Sequence, residues 1–122
     1  MRRAHHELVV WQSSIALVKT IYDLTSKFPR EETFGLTAQM RRAAVSVPSN
    51  IAEGAARSSK KEFGHFLAIA RGSLSELETQ LEIAKQLGYL VDEQTTEQHV
   101  DKIFALLSGL IRSNKAKLSS SA

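Results

Sequence analysis

Residues 59–88 read SKKEFGHFLAIARGSLSELETQLEIAKQLG, and this stretch decides the architecture. Leu67, Ala70, Leu74, Leu77, Leu81 and Ala84 follow one another at alternating steps of three and four, which stacks them on one face of an α-helix. At the start, Ser59 and Glu62 fit a capping box, in which the hydroxyl and the carboxylate satisfy backbone donors reciprocally. At the end, Gly88 supplies the left-handed residue that closes a helix. The spacing predicts a helix over about 59–87, roughly 43 Å long at about 1.5 Å per residue. Its apolar seam suits neighbours that cross at shallow angles.

Three more helices extend outward from this one. Upstream, a helix over about 37–57 has a light apolar side, Leu36, Met40, Ala43, Val47, Ile51 and Ala55, with Thr37 as its expected cap. Pro48 lies inside it, lacks a backbone donor and clashes with the carbonyl four residues back, which predicts a kink rather than a straight rod, with a break into two shorter helices as the alternative. The first helix spans about 7–28 and carries two apolar stripes. One is Leu8, Trp11, Ile15, Val18 and Tyr22; the other, Val10, Leu17, Ile21, Leu24 and Phe28, lies about 110° further round at about 100° per residue. That arc is too wide for one interface, so the helix is either deeply buried or shared with another subunit. Val10, Trp11, Leu17 and Ile21 are the candidate subunit contacts. A fourth helix over about 93–113 uses Val100, Ile103, Leu107 and Leu110, and residues 114–122 are expected to be a mobile tail. Short connections make sequential neighbours antiparallel. The expected fold is therefore all-α, an antiparallel up-and-down four-helix bundle forming one domain over 1–122.

Composition narrows the function. Apolar residues are 43% of the chain and charged residues 24%, which excludes a disordered class. There is no cysteine, so disulfides and thiolate metal sites are impossible. No apolar run approaches the roughly 18–20 residues of a membrane span, and the Met1–Glu7 start lacks a signal-peptide core, so no membrane role and a cytoplasmic location are expected. The net charge of +3 is unevenly spread: residues 1–71 hold eleven Lys or Arg against six acids, and residues 72–111 two against seven. Opposed charge on different helices serves subunit packing as readily as a polyanion.

Catalytic chemistry finds little support. Glu62 and His65 have the E-x-x-H spacing of ferritin-like metal sites, but no second pair exists. His5, His6 and Glu7 crowd together on a terminus too loose to fix ligand geometry. No phosphate loop, cysteine nucleophile or serine-hydrolase signature occurs, so no catalytic residue, metal or cofactor is expected. The densest polar feature is Arg42, Ser46, Asn50, Glu53 and Arg57 on one helical face. It reads either as an ordinary wet face or as a partly buried network with Arg71, Ser75 and Glu78. Gly64, Ala68 and Gly72 form a small-residue strip that lets another helix come near. Arg2, Arg3, Lys60 and Lys61 are candidate contacts to the phosphates of RNA or DNA.

Val10-Trp11-Gln12, Phe34-Gly35-Leu36-Thr37, the run from Arg41 to Gly54 and Gly72-Ser73-Leu74-Ser75-Glu76-Leu77 together resemble the bacterial 23S rRNA intervening-sequence proteins. The likeness covers about Leu8 to Leu90 and is most specific around Pro48; the fourth helix matches only in general character. The resemblance implies a homopentameric, barrel-like assembly of four-helix bundles, coded in some bacteria within insertions of the large ribosomal RNA gene. A related branch, the accessory proteins of diversity-generating retroelements, is basic and implies nucleic acid and a reverse transcriptase as partners. The family assigns no catalytic residues. The expectation is a homo-oligomeric binding or scaffold protein that contacts nucleic acid non-specifically. The alternative is a purely structural homo-oligomer that docks another protein.

Overall fold

The structure, a computed structural model, describes residues 2–120. Its helices are α1 (Val9–Thr25), α2 (Leu36–Ala55), α3 (Lys60–Gln86) and α4 (Gln94–Ser120), with single 3-10 turns at Ala4–Glu7 and Arg30–Glu32 and no strand among the described residues. Each helix packs on its two neighbours around a square, α1 on α2, α2 on α3, α3 on α4 and α4 on α1, and the diagonal pairs stay apart. Contacts run in opposite senses along consecutive helices. Arg41 reaches Thr25 while Ala52 shares a hollow with Trp11. Ser46 meets Ser73 while Gly54 meets Phe63 and Phe66. Lys85 meets Glu97 while Asn114 meets Lys60. The bundle is therefore antiparallel along these three pairs.

The seam expected of α3 is the one that fills the core: Leu67, Ala70, Leu74, Leu77 and Ala84 are fully buried, against Met40, Val47 and Ile51 of α2 and Val100, Ile103 and Leu107 of α4. Each large side chain so buried stabilises the fold by about 1.5–3 kcal/mol. Local chemistry sets the ends of α3. The Ser59 hydroxyl accepts from the Glu62 N–H at 3.1 Å. Gly88 has φ +79°, and the Tyr89 N–H closes on the Ala84 carbonyl at 2.9 Å, the hydrogen bond of a left-handed helix stop.

Two expectations are corrected, and one alternative is excluded. Thr37 does not cap α2; Gly35 holds the cap position, and the Glu32 carboxylate accepts the Leu36 N–H at 3.1 Å while Thr37 is buried one residue further in. Pro48 does not split α2, which runs unbroken from Leu36 to Ala55 with the ring buried. Residues 114–120, expected as the start of a mobile tail, are helical and continue α4 to Ser120; residues 121 and 122 lie outside the described residues. Asn114 explains the extension. It is 5% exposed, follows Ile103, Leu107 and Ile111 in the same rhythm, and its Nδ2 donates to the Lys60 carbonyl at 2.8 Å.

Candidate functional site

The two stripes of α1 have separate fates. Val10, Leu17, Ile21 and Phe28 face the subunit's own core, with Leu17 1% and Ile21 0% exposed. Val10, Leu17 and Ile21 are thus core residues rather than contacts with another copy, because the core stripe lies between α2 and α4 and leaves them no outlet. The other stripe stays outside: Ile15 is 45% and Tyr22 42% exposed, with Leu8, Trp11 and Val18 half-buried. Of the four candidates only Trp11 remains at the surface.

This outer stripe forms one wall of a groove along the α1–α2 seam. Near the N-terminus a hollow of about 320 Å³ is lined by His5, Trp11, Ile15, Val18, Val45, Pro48, Ser49 and Ala52. At Val45 it meets a second hollow of about 480 Å³, bounded by Tyr22, Phe34, Ala38, Arg41 and Arg42 among others. Phe34 is 96% exposed at the far end. Arg41 lies over the Tyr22 ring at 4.4 Å and its Nε donates to Thr25 Oγ1 at 2.9 Å, so the cation is fixed at the rim.

The N-terminal turn folds back onto the groove's other end. The His5 and His6 rings stand edge-on to Trp11 with centroids 5.0 and 5.1 Å away. Gln12 Nε2 donates to the His6 carbonyl at 2.7 Å, and the Arg3 N–H donates to His6 Nδ1 at 2.7 Å. Partial burial, then the nearby His6 and Arg3, lowers the His5 pKa below the ordinary histidine value.

On the opposite side, the α3–α4 seam holds a hollow of about 360 Å³ walled by Glu78, Glu82, Glu97 and Asp101 with a single cation, Lys85. The outer face of α3 beside it presents Ala68, Ile69, Gly72 and Ile83 to solvent. A methyl group built on Gly72 would meet nothing within 4 Å, so the small-residue strip is open and does not receive a helix of its own subunit. Gly64 at its start is the exception, lying against Asn114.

The expected polar network is largely undone. Arg42, Glu53, Arg57, Arg71, Ser75 and Glu78 are exposed. Ser46 and Asn50 are half-buried; the Ser46 hydroxyl lies 2.8 Å from that of Ser73 across the helices, while Asn50 Nδ2 donates back to the Ser46 carbonyl and hydroxyl one turn away. Glu53 and Arg57 pair with each other at 2.6 Å, one turn apart, with the Arg57 guanidinium over the Phe66 ring. Glu62 and His65 stay on the surface, and the described residues contain no group of three metal-ligating side chains.

The basic candidates converge. Ala4, Leu8, Arg57 and Lys60 line one cleft of about 280 Å³, which places the N-terminal turn beside the α2–α3 turn. The Asn114 contact to Lys60 adds the end of α4. That end of the bundle, residues 2–14, 50–68 and 110–120, holds eight Lys or Arg (Arg2, Arg3, Arg57, Lys60, Lys61, Arg112, Lys115 and Lys117) against three acids, Glu7, Glu53 and Glu62. The rest of the chain holds eight against ten. Glu7 engages Arg2 at 2.8 Å, leaving Arg3, Lys60 and Lys61 exposed beside it.

The family model of the 23S rRNA-intervening sequence protein matches residues 6–109. The chain belongs to that family. A solved structure with 25% identity and a TM-score of 0.76, covering 85% of this chain and 96% of its own, is described as a protein of unknown function from the S23 ribosomal protein family of Bacteroides thetaiotaomicron. No curated protein matches. Neither description names a catalytic activity. In this member of the 23S rRNA-intervening sequence family, the stretch around Pro48 forms one wall of the apolar groove and carries the Ser46 contact to Ser73. No helix among the described residues is long and apolar enough to cross a membrane.

Proposed function

We propose that this protein is a non-catalytic scaffold that assembles with copies of itself, the α1–α2 groove of one copy receiving the α3 side of the next, and that its gathered basic ends hold nucleic acid by the phosphates. The exposed groove carries the reading. A stripe of Trp11, Ile15, Val18 and Tyr22 extended by Val45 and Phe34 is a contiguous apolar surface of the kind that marks an interaction site. The two sides are unlike and complementary: Arg41 and Arg42 border the groove, and Glu78, Glu82, Glu97 and Asp101 border the α3–α4 seam. An interface between unlike faces repeats from copy to copy and closes into a ring when the rotation allows. Five copies is the number the family resemblance implies. In such a ring every basic end faces the same way, so the local positive field sums; the location that fits this reading is the cytoplasm. A second reading, a structural ring that docks another protein, is favoured by Val91, 99% exposed in the loop before α4.

The test is the mass in solution. Light scattering should give a multiple of the 13.5 kDa chain. Ile15→Asp and Phe34→Asp, at exposed positions that the fold does not need, should lower it to one chain with the helical signal intact. A single-chain mass for the unaltered protein would remove the proposal.

A further inference from the structure

The Ala4–Glu7 turn is seated at one end of the groove by its rings on Trp11 and by the Gln12 bond, and the bond that closes the turn itself is sensitive to protons. The Arg3 N–H donates to His6 Nδ1 at 2.7 Å, which requires that nitrogen to be unprotonated. His5 and His6 stand 4.4 Å apart between centroids, and both rings press on Trp11. We propose that His5 and His6 form a proton-operated latch that keeps this turn seated on Trp11 and so sets how much of the groove a second copy can reach. The inference rests on the assembly reading and adds its regulation.

The charges around the latch work against protonation of the seated turn. On the turn itself are Arg2, Arg3 and Glu7, and Glu7 is engaged by Arg2 at 2.8 Å. From α1 Trp11 stands against both rings and Gln12 bonds the His6 carbonyl, and from α2 Pro48, Ser49 and Ala52 line the same hollow as His5; none of these carries charge. The neighbouring α2–α3 turn contributes Lys60 and Arg57, the latter paired with Glu53. Protonating both imidazoles therefore puts four cations on a short segment with one acid to offset them, abolishes the acceptor at His6 Nδ1, and leaves the Gln12 bond as the tether. The lowered His5 pKa agrees in sign. A group whose docked pKa lies below its free value favours docking above the free value, and that contribution is lost as pH falls through the docked one. Acidification frees the turn, uncovers Trp11 and lengthens the apolar surface open to a partner.

Trp11 is the sole tryptophan, so it reports its own exposure. Acrylamide quenching of its fluorescence would be compared at about pH 8 and about pH 5.5, either side of the histidine range. The full-length chain, its His5→Gln/His6→Gln variant, and both again carrying Phe34→Asp would be measured; the last change keeps a neighbouring copy from masking Trp11. Quenching should increase on acidification in the chains that keep both histidines and stay flat in those that lack them. Below both values, the open-to-docked ratio is raised about tenfold for each unit by which the free pKa exceeds the docked one. Constant quenching with both histidines present, or an equal rise without them, overturns the latch. Light scattering at both pH values separates the two ideas. A histidine-dependent rise in a chain that is single throughout supports the latch and removes only the assembly reading, whereas a multi-chain mass with pH-independent quenching removes only the latch.

Discussion

Two glycines show how one residue type serves opposite ends. A Cβ at Gly54 would lie 2.7 Å from the Phe66 Cβ and 3.0 Å from Phe63 Cδ1, so the α2–α3 contact is as close as it is only because hydrogen occupies that position. Gly54→Ala forces the two helices apart and should destabilise the fold by about 1–3 kcal/mol, the usual cost of overpacking, despite alanine's better helix propensity. Gly72 also sits mid-helix, but its Cβ would enter open solvent. Gly72→Ala should stabilise a single subunit by about 1 kcal/mol, the propensity difference alone. Urea titration of both variants checks the signs. If Gly72→Ala also lowers the mass in light scattering, the added methyl group lies where a second copy packs. Leu17 and Ile15 make the same contrast for charge. Leu17 is sealed in the core, so an aspartate there breaks folding, whereas at Ile15 it meets water.

At the scale of elements, the hydrogen bond from Asn114 to the Lys60 carbonyl is the anchor of the last turns of α4. Asn114→Ala should cost about 1–2 kcal/mol. It should raise amide hydrogen exchange most strongly over residues 112–118 and leave the α3 core unchanged. The same residue marks where sequence stops being legible. Helix number, order and the α3 boundaries could be read because they rest on local causes: a three-four rhythm of apolar residues, a serine cap and a glycine stop. A polar residue at a core position is invisible to that rhythm, so Asn114, and Ser14 likewise, drop out of the pattern although each has its hydrogen-bonding group met inside the fold. The α2 cap escaped because its carboxylate comes from Glu32, four residues before the N–H it accepts. The choice between the two stripes of α1 was not readable at all, since both have helical period and only the positions of α2 and α4 select the inner one. Of the candidate sites, the basic end was half visible: Arg2, Arg3, Lys60 and Lys61 stand out in sequence, but Arg57, Arg112 and Lys115 join them only through tertiary contact.

For the whole molecule, the separation of charge matters more than its sum. A net +3 is too small to mark a nucleic-acid binder, but eight cations against three acids at one end concentrate the field there, and the proposed ring would sum it. Binding through phosphates releases counterions, so affinity for a duplex should fall with salt with a logarithmic slope of about −0.9 per contact. Neutralising Lys60 and Lys61 to Gln should weaken binding across all sequences alike and make that slope shallower by about two for one copy's two contacts, or more when several copies touch the same duplex. Lys27→Gln with Arg30→Gln removes the same formal charge from the acid-rich end, on the connection between α1 and α2. If the field of the basic end does the binding, this second pair should leave the slope unchanged. Equal losses from both pairs would mean that only net charge counts, and a slope near zero for the unaltered protein would remove nucleic acid as the partner.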